Sequence, residues 1–177
     1  MFKQSLYQLK KPITITTAAM YIAIYVVLYA VKIPLALESR VSVTFLPLVA
    51  SAYLMGPVTA MIVGAIGDIL SAVFFPSGQY FPGFTLSAVM NGLIYGIFLY
   101  RANTHIRLRS LISTIIIILL VNVVLNTLWL AILYQKAFVF YLVSRFVKNI
   151  IVFPVQVIGT ILCIRLHNRT GITKYYL

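Results

Sequence analysis

Phe75-Pro76-Ser77-Gly78-Gln79-Tyr80-Phe81-Pro82-Gly83-Phe84-Thr85-Leu86-Ser87-Ala88 is the stretch whose reading decides the fold. It stands between two apolar runs and holds two of the chain's seven prolines and two of its nine glycines. Each proline lacks a backbone N–H and clashes with the turn before it, so one helix cannot run through both. The stretch is therefore expected to be a shaped loop joining two helices. Its aromatic and neutral hydrogen-bonding groups suit a pocket wall or a lid over one.

On either side the chain is apolar enough to cross a bilayer. Val58–Phe75 precedes the loop and Phe84–Tyr100 follows it, each close to the roughly 20 residues that a hydrocarbon core requires. The whole sequence shares this character. Of its 177 residues 62% are hydrophobic and 9% charged, where soluble domains carry about 25% charged residues; mean hydropathy is +1.04. This is the composition of an integral, multi-pass membrane protein. No polar block is long enough to fold separately in water, so a single domain over residues 1–177 is expected.

Further out, Ile13–Lys32 reads as the first span. It runs to spanning length and is not taken for a cleavable signal. Ser42–Leu54 is a short second span, interrupted by Pro47 and expected to kink or tilt. Leu111–Tyr134 is the fifth, and Phe140–Leu166 the sixth, with a kink expected at Pro154. Residues 33–41 and 101–109 are connections, Gly56-Pro57 is a tight turn, and residues 1–12 form a basic arm near the headgroups. The fold class is an all-α membrane protein with six transmembrane helices.

Six spans put both ends on one side. A net charge of +12 would suggest nucleic acid in a soluble protein, but here the cations lie between apolar segments and report topology, so no nucleic-acid partner is expected. With the termini inside, Lys3, Lys10, Lys11, Arg101, Arg107, Arg109, Arg165, Arg169 and Lys174 are inner, and Lys32, Arg40, Lys136, Arg145 and Lys148 outer. Cytoplasmic segments are enriched in positive charge, so both termini are expected to be cytoplasmic.

This topology gathers the loop, the connection bearing Glu38 and Arg40, and the start of the sixth helix on the outer face. Arg145, Lys148 and Asn149 share one helical face; the two cations either turn into a cavity or snorkel to the headgroups. Asp68, alone in the middle of an apolar run, either pairs with Arg145 or Lys148 or accepts two parallel hydrogen bonds from an N–H beside an NH₂. Asn122, Asn126 and Trp129 form a polar-aromatic stripe, which either lines a cavity for a flat ring or hydrogen-bonds another helix. Gln79, Tyr80 and Phe81 from the loop, with Thr85 and Asn91 from the helix after it, complete the candidate binding set. Ala19 and Ala23 stand one turn apart in the first helix, where small residues admit the backbone of another helix, in this chain or a partner.

Other chemistry is missing. No glycine-rich phosphate cradle with Lys-Ser/Thr occurs, so ATP hydrolysis by this chain is not expected. The lone Cys163 forms neither an internal disulfide nor a cysteine metal cluster, and His105 and His167 lack partners at metal-ligand spacing. Asp68 has no second intramembrane acid of the kind proton relays use. Nothing pairs a nucleophile with a base. The expectation is a non-enzyme with no metal and no cofactor.

Ala19-xxx-Ala23 in the first helix, the basic N-terminal arm and Phe81-Pro82-Gly83-Phe84-Thr85-Leu86-Ser87-Ala88 after the third resemble the substrate-binding S components of energy-coupling factor (ECF) vitamin transporters. The loop and the helix after it look most like the folate-specific members. The resemblance covers essentially the whole chain; the alanine pair is weakly specific alone, the Phe81–Ala88 run more strongly so. It implies a protein of a bacterial plasma membrane that captures folate from outside. It also implies docking through Ala19 and Ala23 on a transmembrane coupling subunit, EcfT, driven by two ATPases, EcfA and EcfA′. Folate then matches the candidate residues: Arg40, Arg145 and Lys148 for its carboxylates, Asp68 or the asparagines for the pterin edge, Trp129, Tyr80 and Phe81 for stacking. Alternatives are an S component for riboflavin or thiamine and a membrane scaffold subunit; a self-sufficient channel or secondary transporter is a third. Thiamine, a cation, sits badly beside so many outer cations.

Overall fold

The computed structural model describes residues 2–31, 33–36, 39–41, 43–76, 79–102, 104–134 and 138–170, with backbone alone at 33–36, 39–41, 134, 138–145 and 147. Helix α1 (Phe2–Gln8) leads into α2 (Pro12–Ala30), followed by strands β1 (Ile33–Ala36) and β2 (Ser39–Val41). Then come α3 (Phe45–Met55), α4 (Pro57–Phe74), α5 (Pro82–Leu99) and α6 (Ile106–Ile116). A π-helical segment (Ile117–Leu125) joins α6 to α7 (Asn126–Tyr134), and α8 (Phe138–Thr170) closes the chain. Five of the helical stretches are long and apolar enough to cross a membrane, and α3 is a sixth, shorter apolar helix.

The short helix lies at the centre. Eleven residues rise only about 17 Å, against a hydrocarbon core of about 30 Å. Ten of those eleven residues are buried, the mark of a helix enclosed on all sides. Helices α2, α4, α5 and α8 pack against it, and Leu48, Val49, Ala52, Leu54, Val63, Tyr95 and Leu99 belong to the shared core. Because α3 stops short, the bundle axis beyond its first residues is left for something other than helix. The large apolar side chains on the outer faces, such as Ile66, Val73, Leu119, Ile158 and Leu162, remain exposed, as a lipid-facing surface demands.

Helices α4 and α5 touch backbone to backbone. A methyl group at Gly64 would come within 2.7 Å of the Ala88 carbonyl oxygen, and one at Gly92 within 2.5 Å of the Ala60 oxygen. At Gly96 it would strike Pro57, whose Cβ would be 2.6 Å away. Ala88, Gly92 and Gly96 thus form a small-residue stripe seated on Pro57, Ala60 and Gly64. Where α3 turns into α4, Gly56 takes φ +89°, and Ser5 of α1 packs beneath it. The Ser5 hydroxyl donates to the Met55 carbonyl at 2.9 Å and accepts the Val58 N–H at 3.2 Å, closing a turn that has no side-chain cap of its own.

Several boundaries differ from the sequence reading, each for a local reason. The loop after α4 is shorter than Phe75–Ala88: Pro82 occupies the first turn of α5, where a missing N–H costs nothing, so Gly83–Ala88 are helical. Pro47 does not interrupt the second span. It sits in the first turn of α3 and helps to start it. The connection at 33–41 contains an antiparallel strand pair, with Ile33 opposite Val41 and Pro34 opposite Arg40. Arg107 and Arg109, expected in a loop, lie in the first turn of α6. Pro154 lies inside α8, which continues on both sides of it.

Candidate functional site

The termini of the described chain share one end of the bundle. Ser5 bonds Met55, the Arg101 N–H reaches the Tyr53 carbonyl, and Tyr53 OH donates to Asn168 Oδ1 at 2.6 Å. Lys3, Lys10, Lys11, Arg101, Arg107, Arg109, Arg165 and Arg169 all belong to helices or turns at this basic end. The opposite end carries the β1–β2 pair, the loop after α4 and the α7–α8 junction.

At that opposite end, over the start of α3, is a cavity of about 200 Å³. Thr44, Phe45 and Leu48 form its floor, and Asn91 of α5, Asn122 and Asn126 line its side. Lys148, Asn149, Val152 and Gln156 of α8 face it from across the bundle, and Tyr25 and Tyr95 also line it. Ile117 completes the thirteen lining residues, nine of which have polar side chains, an unusual concentration for an apolar bundle. Asn126 Nδ2 donates to Asn122 Oδ1 over a long 3.4 Å. The amide oxygens of Asn91, Asn126 and Gln156 are buried and accept no hydrogen bond among the described residues. An unmet buried acceptor costs about 1–3 kcal/mol. The cavity therefore favours a ligand that brings N–H donors.

The π-helical segment has a part in this. Its i→i+5 bonding re-aims side chains relative to a regular helix, and such segments cluster at functional sites. It ends at Leu125, so Asn122 lies within it and Asn126 opens α7 immediately after.

A second group sits beside the cavity. Thr85 Oγ1 donates to Asp68 Oδ2 at 2.8 Å, and Tyr80 OH lies 2.8 Å from Thr85 Oγ1. A threonine hydroxyl has one proton; since Asp68 takes it, Tyr80 is the donor to Thr85. The relay ties the loop through the first turn of α5 to the carboxylate of α4. Nearby, Trp129 Nε1–H donates to Ser87 Oγ at 3.1 Å, and the Phe81 ring lies 5.7 Å from the indole, centroid to centroid. Gly83 has no room for a side chain here: a Cβ would meet Trp129 Cδ2 at 2.5 Å.

Of the residues singled out from the sequence, the cavity brings together Asn91, Asn122, Asn126, Lys148 and Asn149. Asp68, Tyr80 and Thr85 form the separate relay, and Phe81 and Trp129 the ring cluster. Gln79 is exposed on the loop, and Ala19 and Ala23 are exposed on α2. The side chains of Arg40 and Arg145 lie outside the described residues, as do Lys32, Glu38 and Lys136. Tyr25, Thr44, Tyr95 and Gln156 are cavity residues that the sequence reading passed over. Two had a signal: Asn149, Val152 and Gln156 recur at helical spacing, and Tyr21, Tyr25 and Tyr29 make a four-residue stripe on α2.

A family model described as "ECF transporter, substrate-specific component" matches residues 13–164. The chain belongs to this family. A folate transporter FolT from Clostridium novyi is 44% identical to this S component over 119 residues, covering 67% of this chain and 69% of that protein. A folate transporter FolT from Leuconostoc mesenteroides is 31% identical over 123 residues, covering 67% and 66%. Among solved structures, a FolT crystal structure bound with folic acid superposes with a TM-score of 0.77 at 33% identity, over 84% of this chain and 92% of that one. The S component of a bacterial ECF transporter has the same fold, with a TM-score of 0.69 at 21% identity over 89% and 95%. The S-component resemblance read from the sequence is borne out, as is the helical membrane fold.

Proposed function

We propose that this S component binds folate in the cavity above α3 and hands it to an ATP-driven import complex. The observation that carries the reading is the set of buried amide oxygens without donors, on Asn91, Asn126 and Gln156. A pterin edge, an N–H beside an NH₂, supplies such donors. A volume of about 200 Å³ is below the 300–1,000 Å³ usual for a site that encloses a drug-sized ligand. It accommodates the ring end, with the aminobenzoate and glutamate extending toward the loop, Phe81 and Trp129. Lys148 is the described cation at the cavity, and a carboxylate is its natural partner; Arg40 and Arg145 are assigned to the same tail on sequence grounds. The names of the relatives support the same vitamin.

The basic end faces the cytoplasm of a bacterial cell in this reading, because cationic segments are retained inside. The binding cavity then opens outward, and the membrane is the plasma membrane. Docking on EcfT uses the exposed face of α2 that carries Ala19 and Ala23. ATP hydrolysis is the work of EcfA and EcfA′.

Titration with folate tests the first claim. Trp129 is the single tryptophan and stands beside the ring cluster, so saturable quenching of its fluorescence by folate is expected, with riboflavin and thiamine failing to compete. No saturable quenching, or equal competition by either vitamin, overturns the folate reading. The docking claim has its own test. Ala19→Trp/Ala23→Trp should leave folate binding intact and abolish uptake into vesicles containing the full complex, since two indoles block close helix approach. Uptake unchanged by that substitution removes the α2 face from the docking surface.

A further inference from the structure

A second cavity, of about 380 Å³, opens at the basic end between the start of α6 and the last turns of α8. It is lined by His105, Ile106, Arg107, Leu108, Ile161 and Arg165. It lies at the far end of the bundle from the polar cavity. It is also on the flank of α8 away from α2, since α8 meets α2 through His167, whose Nε2 lies 2.8 Å from Tyr21 OH.

The geometry points to a binding site for an anionic phospholipid, its phosphate held by Arg107 and Arg165 and an acyl chain lying along the α6–α8 seam. The chain has only two acidic residues against 14 lysines and arginines, and Asp68, the one among the described residues, is bonded to Thr85 at the opposite end. The backbone adds to the attraction. His105 takes φ +53°, and its side chain does not cap α6, which begins immediately after it; the N–H groups of a helix start attract an anion.

A lipid is favoured over free phosphate by what lies further along the same seam. An apolar groove of about 220 Å³ runs between the π-helical segment and α8, lined by residues including Ile115, Leu119, Phe146 and Phe153. From Arg107 to Ile115 and Leu119 is eight to twelve residues, or about 12–18 Å along the axis, within reach of an acyl chain. Leu111 of α6 and Ile158 of α8, which fall between the two along their helices, expose their side chains. Basic pockets between helices on the cytoplasmic side are suited to phosphate headgroups.

The test is native mass spectrometry of the delipidated full chain in detergent, with dioleoyl-phosphatidylglycerol, dioleoyl-phosphatidylcholine or inorganic phosphate added. Phosphatidylglycerol is expected to be retained about tenfold or more over phosphatidylcholine. Arg107→Gln/Arg165→Gln should reduce it to the phosphatidylcholine level, while Arg169→Gln, at the same end but outside the cavity, should not. Ile161→Glu, which places a carboxylate in the lining of the cavity, should give the same loss and serves if the double variant elutes as aggregate. Retention unchanged in both variants, or equal for the two lipids, overturns the proposal. So does full displacement by inorganic phosphate, which would make the site one for a free anion.

Discussion

Replacing Gly96 with alanine is expected to lower the melting temperature of the purified protein by about 2–12 °C, and replacing it with leucine to prevent folding. In an exposed helix, glycine to alanine stabilises by about 1 kcal/mol, because alanine loses less backbone freedom. Here the sign reverses. The new methyl group would strike the backbone and ring of Pro57, at the first turn of α4, and neither can rotate away. Overpacking of this kind costs about 1–3 kcal/mol, and a chain of this size loses about 2–4 °C for each kcal/mol. Gly159→Ala is the matched comparison. Its methyl group would meet side chains alone, the Phe45 ring at 2.8 Å and Leu46 Cδ2 at 3.5 Å, and a side chain yields more readily than the Pro57 backbone, so a smaller loss is expected. Equal melting temperatures for wild type and Gly96→Ala would show that α4 and α5 do not depend on this contact.

That stripe also shows what a sequence alone conveys. Gly92 and Gly96 are visible at helical spacing, but their partners, Ala60 and Pro57, are set by the crossing of two helices. Apolar length placed the five helices long enough to cross, because that length is dictated by the bilayer itself, and α3 was visible as a shorter apolar run. Boundaries at prolines were harder. Pro47 and Pro82 act through the absence of an N–H, and that absence reads alike whether a helix is ending or beginning; the structure puts both in first turns. The strand pair at 33–41 had no legible signal, since two short strands need only a few paired backbone groups and little side-chain pattern.

The site was legible in its chemistry more than in its geometry. Polar residues are rare in this chain, so Asn91, Asn122, Asn126 and Lys148 stood out against an apolar background, and one cavity collects them. Tyr25 and Tyr95 did not stand out, because a tyrosine in a membrane helix reads equally as core, interface or ligand contact. Asp68 stood out most, yet its described partner is the Thr85 hydroxyl. A carboxylate's partner is chosen by neighbouring helices, and spacing along one helix carries no information about them. The π-helical segment is similar: nothing in Ile117–Leu125 distinguishes it from an ordinary apolar helix, and the shift in bonding that accompanies Asn122 appears only in three dimensions.

Asn126→Leu should weaken folate binding by roughly 5- to 100-fold without lowering the melting temperature of the ligand-free protein. The reasoning turns on an opposition between stability and binding. Asn126 presents a buried amide oxygen with no donor among the described residues, and its own N–H bond to Asn122 is long, at 3.4 Å. Leucine is close to it in size and removes an acceptor whose desolvation is uncompensated, so the empty protein loses little and gains the relief of that burden. In the complex the balance is opposite. A ligand N–H brought against leucine has given up its water and found nothing in return, a loss of about 1–3 kcal/mol for each unmet group, and each 1.4 kcal/mol is a factor of ten in affinity. Retained strain of this kind, costly to the fold and repaid only on binding, is what separates a ligand site from a packing defect. Tryptophan quenching and thermal melting on the same preparation measure both halves. Weaker binding with undiminished stability assigns Asn126 to the ligand; unchanged binding would place folate elsewhere, and a fall in both would make Asn126 part of the scaffold.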